Sequence, residues 1–147
     1  MKLHQLSLFL ENKPGQIKVP CEVLSKAGIN ILALSLADTQ QFGILRLIVK
    51  DWEKARDVLR EGGCVVNVTE VLALDVPDQP GGLAKVLDIL DEAKLAIEYM
   101  YAFTSGSRGV KAALIFRFEE PDKAIKVLQQ HGINVIDSVD LFKRVEG

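Results

Sequence analysis

Leu8-Phe-Leu-Glu-Asn-Lys-Pro14-Gly15-Gln-Ile17 returns later in the chain, altered but in the same order, as Leu74-Asp-Val-Pro-Asp-Gln-Pro80-Gly81-Gly-Leu83. The correspondence continues downstream. At the same offset of 66, Leu24, Ala27, Ile31 and Gly43 lie over Leu90, Ala93, Ile97 and Gly109. Further on the offset is 69, with Ala55, Val58, Leu59 and Gly63 over Ala124, Val127, Leu128 and Gly132, so the second copy carries three extra residues in a loop. Apolar positions, breaker residues and their order agree, which makes the chain a duplicated supersecondary unit. The expected division is 1–70 and 71–147.

Within each copy the hydrophobic period reads strand, helix, strand, strand, helix, strand. Leu6, Leu8 and Leu10 alternate into the Pro-Gly turn. Ile17, Cys21, Leu24 and Gly28 then recur at helical spacing, with Gly28 as a left-handed stop. Ile31 to Asp38 and Ile44 to Lys50 are β-prone runs, and Asp51 is placed to cap a helix with Ala55, Val58 and Leu59 inside. A last strand begins near Cys64. The second copy repeats this with Leu74–Val76, Leu83–Ala93, Ala96–Thr104, Val110–Phe118, Pro121–Gln130 and a final strand over Asn134–Phe142. Thr104 to Gly109 is the most turn-rich stretch and is expected to be the most mobile loop.

A βαββαβ unit of this length folds most simply as a four-stranded antiparallel sheet with both helices on one face. The class expected is therefore α+β, as two ferredoxin-like units. Val66, Val68, Leu72, Leu74 and Val76 carry one alternating face through the boundary, interrupted by Glu70 and without a Gly/Ser/Pro-rich linker, so the two units are expected to form a rigid pair. The sheet face away from the helices is expected to stay open. Apolar residues on both sides of the strands then predict burial of that face, or of the sheet edges, against a second copy.

Composition narrows the function. The 147 residues are 48% hydrophobic and 26% charged, with a formal net charge of -2. That balance supports a packed core and gives no general attraction for a phosphate backbone or an anionic bilayer. No apolar run approaches the roughly 20 residues of a membrane span, and the N-terminus lacks the pattern of a secretory signal, so a cytoplasmic protein is expected. Cys21 and Cys64 form no CxxC pair and are read as reduced core thiols. His4 and His131 lie outside any nucleophile motif. HExxH, Walker, GxGxxG and EF-hand spacings are missing, so no metal or cofactor is implied and no catalytic residue stands out. Tyr99, Met100, Tyr101 and Phe103 could stack on bases, but the basic groove that RNA requires is not there, and packing is the expected role. Asp88, Asp91 and Glu92 read as a solvated helix face.

What carries chemical potential is the doubled Pro-Gly turn. Glycine lets a ligand approach the backbone, and the unpaired N–H groups at a helix start attract a carboxylate. A side-chain amide such as Asn12 offers a donor and an acceptor together. The alternative is that a tight strand-to-helix turn simply favours Pro-Gly, and duplication would copy a structural turn as faithfully as a binding one.

Asn12-Lys-Pro-Gly-Gln-Ile17, Leu24 and Ala27-Gly-Ile-Asn-Ile31, echoed by Asp78-Gln-Pro-Gly-Gly-Leu83, Leu90 and Ala93-Lys-Leu-Ala-Ile97, resemble the signature of ACT domains, small ferredoxin-like regulatory modules that bind amino acids. The resemblance spans essentially the whole chain. It implies a ligand between two domains, held by the turn after the first strand and by residues opening the second strand. Those positions are Asn12, Lys13, Pro14, Gly15, Gln16, Ile17, Asn30 and Ile31 in the first copy. In the second they are Asp78, Gln79, Pro80, Gly81, Gly82, Leu83, Ala96 and Ile97. Turn N–H groups would hold the α-carboxylate and Asn12, Asn30 or Asp78 the ammonium. The chain departs from the pattern at Ala96, which replaces the amide of Asn30. It departs again at Pro20, which falls inside the first helix and is expected to kink or delay it. The resemblance thus implies a non-catalytic, allosteric amino-acid sensor, a homodimer or higher oligomer, with an enzyme as the possible regulated partner and neither nucleic acid nor membrane. The alternative is a protein–protein interaction module without a ligand.

Overall fold

A computed structural model of the chain describes residues 1–38, 40–103 and 111–146, with side chains as far as residue 144. The expected loop Thr104 to Gly109 lies outside the described residues. Two compact units emerge, one spanning His4–Thr69 and the other combining Met1–Leu3 with the chain from Glu70 onward.

In the first unit β1 (Leu3–Glu11), α1 (Lys18–Lys26), β2 (Ala33–Asp38), β3 (Phe42–Ile48) and α2 (Trp52–Glu61) lead into β4 (Val65–Pro77). The strand order is β2-β3-β1-β4. Antiparallel pairing sets Leu8 opposite Leu45 and Leu6 opposite Leu47, and Leu36 opposite Leu45 from the edge strand β2. One face is therefore leucine-rich: Leu6, Leu8, Leu45 and Leu47 pack on Leu24 of α1 and on Ala55 and Leu59 of α2, while Leu36 at the edge stays exposed. Asp51 caps α2 by accepting the Lys54 N–H at 3.3 Å, which satisfies one of the donors a helix start leaves open. Trp52 opens that helix with its ring stacked on His4, centroids 4.4 Å apart, and the Arg56 guanidinium 5.3 Å from its centroid. Pro20 lies in the first turn of α1 and is tolerated because its missing N–H has no intrahelical partner there.

The second unit uses the distal part of β4, then α3 (Gly82–Glu92), β5 (Ile97–Ala102), β6 (Lys111–Phe118), α4 (Pro121–Gln130) and β7 (Val135–Ile136). Its order is β7-β4-β6-β5, the same arrangement with each strand replaced by its repeat equivalent. Leu72, Leu74 and Val76 face Val86 and Leu90 of α3 and Ala124 and Leu128 of α4. Pro121 takes the first helical position of α4, as expected.

Two expectations fail here for one reason. The strand expected over Asn134–Phe142 is only the two-residue β7, followed by a helix, α5 (Ser138–Glu146). Asp137 ends the strand: its carboxylate accepts the Asp140 N–H at 2.8 Å and its carbonyl accepts the Leu141 N–H at 3.0 Å. Those two bonds make a capped first turn. Nor is the second unit's far face open. Strand alternation points Val71, Ala73 and Asp75 away from α3 and α4; all three are buried, and α5, with Leu141 fully buried, reaches Asp75 on that side. Arg144 grips Asp75 with both ends of its guanidinium, at 2.7 and 2.9 Å, and Asn134 donates to the same carboxylate at 2.7 Å. Both charged side chains are 6% exposed. Asp140 adds a second contact to Arg144 at 2.9 Å.

Burial by itself raises the Asp75 pKa, but the hydrogen bonds from Arg144 and Asn134 and the charges of Arg144 and Lys111 outweigh it, and the carboxyl sits below its ordinary value. Opposite charge and donated hydrogen bonds both favour the ionised form. A depressed folded pKa stabilises the native state above the unfolded value, and that stability is lost as pH falls through the folded value. We predict that acid titration followed by denaturation loses stability below the ordinary carboxyl value of 3.8, and that Asp75→Asn removes that part of the profile. Truncation of the core by Leu59→Ala in one unit or Leu128→Ala in the other is expected to cost about 2–5 kcal/mol each, measured by denaturant unfolding.

Candidate functional site

The two Pro-Gly corners share one backbone geometry. Lys13-Pro14-Gly15-Gln16 closes with the Gln16 N–H on the Lys13 carbonyl at 3.3 Å, and Gly15 has φ +87°. Gln79-Pro80-Gly81-Gly82 closes with the Gly82 N–H on the Gln79 carbonyl at 3.0 Å, and Gly81 has φ 82° and ψ -5°. Both have the proline, left-handed glycine and closing hydrogen bond of a type II turn. One amide of each corner is thereby used by the turn itself. The helix amides that follow have no carbonyl one turn back and remain the donors available to a guest.

The corners differ in what comes next. Helix α3 starts at Gly82, directly after the turn, whereas α1 starts at Lys18, two residues beyond the equivalent Gln16. At Gly82 the chain passes so close to the Pro77 carbonyl that any Cβ would collide with it. Glycine is required there by contact, and at Gly15 and Gly81 by backbone angle.

Asn12 is exposed, but both donors of its amide bind the β2–β3 connection, Nδ2 reaching Asp38 Oδ1 at 3.2 Å and the Gln40 carbonyl at 3.1 Å. Its main-chain N–H adds a bond to the Gln41 carbonyl at 2.9 Å. Of the groups expected to address an ammonium, Asn12 thus keeps only its carbonyl oxygen uncommitted to those bonds. Lys13 pairs with Glu11 at 2.8 Å at the rim. Their hydrogen bond and mutual charge lower the Glu11 pKa and raise that of Lys13. Together Leu10, Glu11, Asn12, Lys13, Ile17, Leu36, Asp38 and Gly43 enclose a recess of about 50 Å³.

Asn30 and Ile31 lie elsewhere. They line a shallow groove of about 390 Å³ with Cys21, Leu24, Ser25, Gly28 and Ile29, at the far end of α1 from its Pro-Gly corner. The nine residues of α1 separate the two sets. The second unit has the repeat-equivalent groove, about 380 Å³, lined by Leu87, Asp88, Leu90, Asp91, Leu95 and Ile97. Neither unit therefore brings its own turn residues and its own second-strand residues together. Asp78, Gln79, Pro80 and Gly81 are exposed, Gly82 is buried, Leu83 and Ile97 are half-buried and Ala96 is exposed. Sequence reading missed Asp38, Gln40 and Gly43 at the first corner. They become visible only with the register, which sets Leu10 opposite Gly43 and Glu11 opposite Phe42.

The remaining candidates lie outside the two corners. Cys21 and Cys64 are free and half-buried, and burial raises the Cys64 thiol pKa. His131 bonds its Nδ1 to the Val127 carbonyl at 2.9 Å. Phe103 is buried. Among the described residues no cluster of His, Cys, Asp and Glu is placed to hold a metal ion, and no helix is long and apolar enough to cross a membrane.

Duplicated ferredoxin-like units, each turning from its first strand into its first helix through a type II Pro-Gly corner, define the architectural class. The chain belongs to the ACT domain pair family, whose sequence model matches residues 1–145. It is 41% identical to protein BT0572 from Bacteroides thetaiotaomicron, whose crystal structure aligns over 97% of each chain with a TM-score of 0.89. The ligand-free regulatory subunit of aspartate kinase from Thermus thermophilus shares the fold at 16% identity, over 86% of this chain and 90% of that one, with a TM-score of 0.61. The corresponding subunit from Thermus flavus aligns over 86% of this chain and 90% of that one at 15% identity, with a TM-score of 0.59. No curated protein matches in sequence.

Gly81→Ala is expected to cost about 1–2 kcal/mol through left-handed strain alone. Gly82→Ala is expected to cost more, because the turn must move off Pro77, while Gln16→Ala at the equivalent position is near neutral. Denaturant unfolding of the three variants checks the order.

Proposed function

We propose that this ACT domain pair is a non-catalytic sensor that binds a free amino acid at interfaces built from its Pro-Gly corners. The observation that carries the reading is the duplicated corner itself. Each copy holds a left-handed glycine ahead of a helix whose first amides lack intrahelical acceptors, a site suited to an α-carboxylate. The N–H groups of the turns within Asn12 to Ile17 and Asp78 to Leu83 supply the carboxylate contacts, and Asn12, Asn30 or Asp78 addresses the ammonium. Asn30, Ile31, Ala96 and Ile97 contribute from a different domain, since no unit joins its own two sets. That requirement supports self-association into a homodimer or larger assembly. Leu34 and Leu36, exposed on the edge strand β2, support the same conclusion. Binding across two domains favours their apposed arrangement by differential affinity, and that change is what a regulated enzyme would read in the cytoplasm.

The second reading, an interaction module without a ligand, is favoured by one observation. The Gln16 and Gly82 amides already close the turns, and the Asn12 amide already holds a neighbouring loop. The two readings separate in a thermal-shift screen of the full chain against the twenty amino acids. An amino acid present at about 100 times its Kd stabilises by about 2.7 kcal/mol. We expect one chemical class to raise Tm and Gly15→Val and Gly81→Val to abolish the rise. No shift with any amino acid at millimolar concentration would leave the interaction module.

A further inference from the structure

The ion pair beneath α5 has no counterpart in the first unit, where the repeat puts Phe9, 43% exposed, in the place of Asp75. Burying two charges is costly, and apolar residues of similar size often serve stability as well or better, so such a pair points to a need for defined geometry. The geometry is closely specified. Arg144 meets both carboxylate oxygens, Asn134 donates to one of them, and the Asp75 N–H reaches the Asn134 carbonyl at 3.1 Å. On its other side Asp75 lies in register with Ala113 of β6. Asp75 is thus held through side chain and backbone two residues before Pro77. Pro77 in turn touches Gly82, the closing residue of the second corner and the first of α3. A path runs from the C-terminal helix to the corner: Arg144 binds Asp75, β4 carries the constraint two residues along the backbone to Pro77, and the Pro77 carbonyl lies against Gly82.

We infer that Asp75 and Arg144 are positioning residues for the second Pro-Gly corner, so that docking of α5 sets that corner's geometry. The regulatory meaning rests on the amino-acid reading above. If a corner site binds only when its amides are in place, an event that lifts α5 weakens the second site, and a guest at that site tightens α5 by the same factor.

Hydrogen exchange of the full chain, with no amino acid added, tests the positioning. In Asp75→Asn and Arg144→Met, the amides of Asp140 and Leu141 in α5 and of Gly82 and Lys85 at the corner should exchange at least about tenfold faster. Those of Ile133, at the end of α4, and Gln16, at the first corner, should stay within about twofold. Arg144→Lys keeps the charge without the planar fork and should give the same order with smaller factors, which decides the matter if a harsher variant does not fold. Faster α5 exchange with Gly82 and Lys85 unchanged would overturn the inference, as would one common factor across residues 70 to 146. A chain that shows this coupling but no thermal shift keeps the positioning and loses the sensing role. The reverse pattern overturns the positioning alone.

Discussion

A glycine at positive φ directly after a proline fixes where each unit turns from strand to helix. With an L side chain in that conformation the backbone is strained, and with any other turn the first helix would leave the strand at a different angle. The leucine face of β1 and the corresponding face of β4 can each pack on a helix pair only because this corner returns the chain across its own sheet. The same corner presents the amide groups on which the functional proposal depends. Stability and recognition thus draw on one backbone geometry, and a substitution that removes one disturbs the other.

Duplication has kept the corners and released much else. Gln16 and Gly82 hold equivalent positions, yet the helix begins at Gly82 itself in the second unit and only at Lys18 in the first. Asn30 corresponds to Ala96 in the repeat, and the groove at the end of the first helix holds Ser25 and Cys21 in one unit but Asp88 and Asp91 in the other. The largest difference is at the last strand. In the first unit it continues as the thirteen-residue β4, whereas in the second Asp137 stops it after two residues and begins α5. Two units of one fold therefore present unlike surfaces.

Much of the fold is legible in the sequence because its signals are local: the Pro-Gly repeat, the alternation of Leu6, Leu8 and Leu10, Asp51 as a cap and Pro121 at a helix start. Helix α5 escapes that reading for a physical reason. Val135-Ile136 gives a genuine β signal, and Val139, Leu141 and Phe142 prolong an apolar pattern that only the Asp137 cap interrupts. Asp75 and Arg144 are far apart in sequence, and nothing local pairs them. At the candidate site the turn residues are legible, but the engagement of Asn12 with Asp38 and Gln40 depends on strand register, which periodicity does not supply.

Trp52 is the chain's one tryptophan, and it lies in the first unit against the imidazole of His4. Emission excited selectively at the tryptophan is consequently an optical reporter for that half, sensitive to whatever alters the ring stack, whereas both tyrosines, Tyr99 and Tyr101, lie in the other half. An emission trace and a far-ultraviolet dichroism trace that fail to superimpose would reveal the two halves melting in separate steps.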